Sequence, residues 1–180
     1  MQIYKKKKPI DYIIYSAIII VGVILDQLTK WLAVKFLEPI NTVPIIKNAL
    51  HLTYVENRGA AFGMMKDSRW IFMTVSTIAI LIFIAYLYLG HAENNLYAVA
   101  LAMVISGGIG NMIDRIALGY VVDFIDFRLI NFAVFNGADS FVCIGAGLLI
   151  LALIKDLINE TKKAKAAKAD DAEDDKADEE

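Results

Sequence analysis

The chain has little of what builds disulfides, metal centres and rigid turns: one cysteine, two histidines and three prolines. A lone Cys143 excludes an internal disulfide. It lies in an apolar run, so it is expected to be a buried thiol acting as a small hydrophobe. There is no HExxH, which excludes a metallopeptidase of that kind. Neither His51 nor His91 has a companion at metal-ligand spacing, so both are expected at the surface or an interface. No metal or cofactor is expected. Ser106, before Gly107-Gly108, would need one of these distant histidines as its base, which argues against a serine nucleophile.

Charge is also missing over long stretches. It collects at the ends, in Lys5 to Lys8 and in a run of Lys, Asp and Glu from about Lys162 to Glu180. The interior is rich in apolar residues, which make up 58% of the chain, with a mean hydropathy of +0.54. That is too apolar for an ordinary soluble domain. A spanning helix needs about 20 mainly apolar residues. Four segments qualify, at about Tyr12–Phe36, Trp70–Leu89, Leu96–Ile113 and Phe135–Ile154. After Leu25 the chain offers no small-x-small cleavage site, so the first run is expected to be a retained span.

Four spans put both ends on one side. Lys5 to Lys8 and Lys155, Lys162, Lys163, Lys165 and Lys168 outweigh the long loops and favour cytoplasmic ends. The long loops, about Leu37–Arg69 and Asp114–Val134, are then external. In the first, His51–Val55 is expected to form a short strand. Gly59 and Gly63 bracket a small apolar insertion. The tail from 161 to 180 has no apolar face, and is expected to be disordered or solvated rather than part of the domain at 1–160.

Ionisable groups inside apolar spans are costly, and they survive where they face protein or water. Asp26 and Lys30, at i and i+4, share a helix face. They read either as a self-neutralising structural pair or as part of the chemistry. Asn111, Asp114 and Arg115 share a face beyond the glycine-rich Gly107–Gly110. Asp114 reads equally as an interfacial ion pair with Arg115. Asp123 follows Val121-Val122 in a segment expected to dip back to the interface. Asp126 and Arg128 are expected to be surface charges. Asp139 sits about a turn inside the fourth span, with Asn136 on its face. The topology places these groups at similar depth, so Asp123 and Asp139 could meet. Two close carboxylates cannot both ionise cheaply, so one keeps a proton and the pair offers an acid and a base together. Peptide hydrolysis could use such a pair. Proton relay, transport or a non-catalytic scaffold would also bury acids.

Five blocks narrow this choice: Asp26-Gln27-Leu28-Thr29-Lys30, Asn57-Arg58-Gly59-Ala60-Ala61-Phe62, Gly107 through Arg115, Val121-Val122-Asp123-Phe124 and Phe135 through Ser140. In this order they resemble lipoprotein signal peptidases. The resemblance implies an all-α membrane protein, a four-transmembrane-helix bundle with a small extracytoplasmic β-cradle. It implies an aspartic endopeptidase that cuts a diacylglyceryl-modified prolipoprotein just before its lipidated cysteine. It implies Asp123 and Asp139 as the catalytic pair. Asn57, Asn111, Arg115 and Asn136 would shape the site and contact substrate or globomycin. Asp26, Lys30 and Asp114 would support it, with Gly59 in the same motif as Asn57. The expected partners are the lipidated substrate and membrane lipid, with no nucleic acid. Nothing demands an oligomer, and a monomer in the bacterial inner membrane is expected.

Overall fold

The structure, a computed structural model, describes residues 8–59, 69–90, 92 and 94–177. Helix α1 (Pro9–Leu32) starts with proline at its first position, where a missing N–H costs nothing. The Lys8 backbone N–H donates to Asp11 Oδ2 at 2.8 Å, closing the first turn. A π-helical turn, Ala33–Leu37, follows directly. Strands β1 (Thr42–Ile46) and β2 (Leu50–Asn57) come next. Helix α2 (Arg69–Tyr88) has no charged residue after its first. Helix α3 (Asn95–Ala117) is capped by Asn94, whose side chain accepts from the Tyr97 N–H. Strand β3 (Val121–Phe127) and a 3-10 turn (Arg128–Ile130) lead to α4 (Gly137–Ala177).

Three of these helical stretches, Pro9–Leu37, Asn95–Ala117 and Gly137–Ala164, are long and apolar enough to cross a membrane. The molecule is therefore mostly helical, with one small sheet. Large apolar side chains such as Ile24, Trp70, Leu81 and Leu151 are more than half exposed. A chain that must face water would bury them; lipid requires no such burial. The core lies along α3, where Ala98, Leu101, Ala102 and Ile105 pack with Tyr15 of α1 and Leu87 of α2. Close approach needs small residues. A Cβ on Gly107 would collide with the Ala138 carbonyl, and one on Gly110 with the Asp26 carboxylate.

The sheet has the order β1-β2-β3, all antiparallel. Pro44, which cannot donate to a ladder, lies on the edge strand β1. Val122 of β3 packs on Ala33 and Leu37 of the π-helical turn, with Leu52, Tyr54 and Phe124 around them. This apolar seat fixes the sheet to the outgoing end of α1. An isolated bridge, Ile125 to Phe135, ties β3 to the entrance of α4.

Several expectations change here. Val121–Phe124 is part of a paired strand, because its alternate residues pack on the π-helical turn while its backbone bonds to β2. Cys143 is exposed, since it lies on an outward face of α4. His51 is buried against the sheet, while His91 lies outside the described residues, as do Ala60 to Phe62 and Gly63. The charged tail continues α4 as helix to Ala177, exposed over 161–164 as a solvated segment would be. Its alanines and lysines are strong helix formers.

Candidate active site

The site begins on α1. Lys30 is 3% exposed, and its Nζ lies 2.9 Å from Asp26 Oδ2 and 2.9 Å from Asp114 Oδ2. The spacing of Asp26 and Lys30 anticipated the first pair. The second corrects the expectation for Asp114, whose cation is Lys30 of another helix and not its neighbour Arg115. Arg115 instead donates to the Asn111 carbonyl at 3.4 Å, half-buried and in the field of Asp139, Asp123 and Asp114. The Lys30 ammonium also donates to Asn111 Oδ1 at 2.9 Å.

Asn111 in turn donates from Nδ2 to Asp139 Oδ1 at 2.7 Å. Asp139 is in the first turn of α4, and its Oδ2 accepts the Asn136 backbone N–H at 3.3 Å. Asn136 caps that helix, its Oδ1 accepting the Asp139 N–H at 3.0 Å. It is fully buried. Its Nδ2 lies 2.6 Å from Asp123 Oδ1 and 3.0 Å from Asn111 Oδ1. Asn57, at the end of β2, donates to Asp123 Oδ2 at 2.9 Å, and its own Oδ1 accepts the N–H of Gly59 at 3.1 Å. One asparagine, Asn136, therefore bonds both aspartates, and every predicted site residue falls in one cluster.

Asp123 is 1% exposed, while Asp139 keeps partial access to solvent. Burial pushes the Asp123 carboxyl up to about 7; the Asn57 bond opposes this and the nearby Asp139 charge adds to it. A carboxyl of this kind can hold or release a proton near neutral pH.

Two features escaped the reading of the sequence. Gln27 donates to Asp114 Oδ1 at 3.0 Å and to the Gly110 carbonyl at 3.2 Å, bracing α3 against α1. A polar amide inside an apolar span was the available signal. The second is a network on the sheet. Asp126 accepts from Thr53 at 2.7 Å and from Arg128 at 2.8 Å, and Arg128 also reaches Thr42. Asp126 is buried, so it is not the surface charge expected. Ser106 donates to the Ile19 carbonyl and packs against Gly22, a helix-packing role.

Such a fold has relatives of known structure. It superposes on a bacterial membrane enzyme solved by the in meso method at 2.3 Å resolution, with a TM-score of 0.78 and 32% identity, over 88% of this chain and 96% of that one. The class is thus that of a bacterial membrane enzyme. A family model described as signal peptidase (SPase) II matches residues 18–155. A lipoprotein signal peptidase of Caldanaerobacter subterraneus is 54% identical, covering 74% of this chain and 92% of its own length. That of Halalkalibacterium halodurans is 39% identical over 86% and 98%. The chain belongs to the signal peptidase II family, and is a peptidase of a bacterial membrane.

Proposed function

We propose that this peptidase removes the signal peptide from diacylglyceryl-modified prolipoproteins by aspartic catalysis, cutting just before the lipidated cysteine. The relatives named as lipoprotein signal peptidases support the substrate class. The observation that carries the mechanism is the shared asparagine: Asp123 and Asp139 are both bonded to Asn136. Asp139, on the wetter side, takes a proton from water as the water attacks the scissile carbonyl. Asp123, whose burial favours its protonated form, polarises that carbonyl and helps protonate the leaving nitrogen. Arg115, which lies in the field of Asp139 and Asp123, would donate to the substrate carbonyl.

Helix α2 serves as a fourth span beside the three longer ones, with both termini cytoplasmic and the sheet external. The acids then lie just beneath the outer interface. There the acyl chains and signal helix of a substrate stay in lipid while water reaches the bond. The catalytic domain is 1–160 and works as a monomer among membrane lipids.

Purified enzyme in detergent, given a lipidated prolipoprotein, should cleave it. Asp123→Asn and Asp139→Asn should each abolish cleavage while leaving a folded protein. Retained cleavage in either variant rejects the pair as assigned.

A further inference from the structure

Lys30 has no described contact with either reacting aspartate, yet its three bonds govern both. An ammonium has three donors and no acceptor. Here all three are used, on Asp26 Oδ2, Asp114 Oδ2 and Asn111 Oδ1, each at 2.9 Å. The two carboxylates it binds each hold a backbone N–H elsewhere. Asp26 Oδ1 accepts the N–H of Ala138 at 2.8 Å, the residue immediately before Asp139. Asp114 Oδ2 accepts the N–H of Val122 at 3.1 Å, the residue immediately before Asp123. The third bond orients an amide. Because Lys30 can only donate, the Asn111 atom facing it must be oxygen, and the N–H is left for Asp139. Two other asparagines are oriented the same way by backbone donors: Asn136 by the Asp139 N–H and Asn57 by the Gly59 N–H.

We propose that Lys30 is the positioning residue of the peptidase reaction: one buried cation sets the spacing of the two aspartates through Asp26 and Asp114, and turns the Asn111 amide so that Asp139 faces a donor. The proposal rests on the assignment of Asp123 and Asp139 as the reacting pair. It explains the division of charge in the site. The positive charge is neutralised by acids that take no part in the reaction, so the reacting acids are held by neutral amides and can still exchange a proton. The other charged groups of the cluster are Arg115, Asp123 and Asp139; the Lys30 charge still reaches Asp123 and favours its ionised form.

The test compares Lys30→Met with the charge-balanced pair Lys30→Met/Asp114→Asn, in which an asparagine oxygen can still accept the Val122 N–H. The second variant covers the case in which unpaired buried acids prevent the first from folding. Full-length enzyme in detergent is assayed on a lipidated prolipoprotein across pH, beside Asp123→Asn and Asp139→Asn. The expected result is a fall in kcat of about 100-fold, the cost of reacting groups displaced by about an ångström. KM should change little. The acid limb of the kcat/KM profile should move about one unit towards higher pH. If the charge-balanced variant cleaves with the parent's kcat and pH limb, Lys30 positions nothing. A uniform loss across pH, with an unmoved limb and a lower Tm, would also overturn the proposal, since general scaffolding accounts for that pattern. Cleavage surviving in Asp123→Asn or Asp139→Asn would instead bring down the catalytic pair itself.

Discussion

Strand β3 carries two aspartates three residues apart whose surroundings act in opposite directions. Asp123 is held by the amides of Asn57 and Asn136, and burial raises its pKa to about 7. Asp126 is also buried, which alone would raise it. The Thr53 hydroxyl and the Arg128 guanidinium prevail and hold it below the ordinary carboxylate range. The difference is one of partners. A carboxylate given a cation is locked as an anion and serves the architecture. A carboxylate given neutral donors keeps a proton within reach. Asp26 and Asp114 also have a cation as partner, Lys30.

The largest test of this contrast is catalytic. Asp123→Asn should lower cleavage by about 1000-fold or more, in the range expected for losing a general acid or base. Asp126→Asn should leave kcat within about threefold, a loss no larger than one ordinary hydrogen bond. Equal losses in the two variants would erase the distinction.

Stability against pH comes next. The folded Asp123 binds a proton more tightly than the unfolded chain, whose value is near 3.8. Its contribution is therefore present at low pH, declines as pH rises from about 4 to about 7, and is level above. Asp123→Asn removes the decline. The variant should gain stability relative to the parent across that window, on the order of a few kcal/mol, seen as a higher Tm. Asp126 has the opposite sign: its contribution is present above the unfolded value and lost as pH falls through the folded one. Thermal melts in detergent at a series of pH values read both.

Smaller effects belong to the sheet and the tail. Thr53→Val removes one donor to Asp126 and should cost about 1 kcal/mol without moving kcat. Deleting residues 161–180, which lie beyond the matched family region, should change stability by less than about 0.5 kcal/mol and leave cleavage intact. A dead truncated enzyme would extend the catalytic domain into the tail.

Three of the four expected spans were legible because a run of about 20 apolar residues needs no partner to declare itself. The Asp26–Lys30 pair was legible for a similar reason, being local at i and i+4. The motif order carried the rest of the site as a set of residues. What their spacing did not contain was the partnership. Lys30 with Asp114, Asn57 with Asp123 and Ala138 with Asp26 join residues 84, 66 and 112 positions apart. The strand character of Val121–Phe127 was hidden likewise, because the β2 residues that pair with it lie far away in the chain.

Sequence alone determined that this chain lives in a membrane and which polar residues it carries there, since hydropathy and local spacing are properties of neighbours along the chain. Which carboxylate receives a cation and which an amide was decided only when α1, α3, β3 and α4 came together. Acidity depends on what lies within a few ångströms in space, and in this fold those neighbours come from distant parts of the chain.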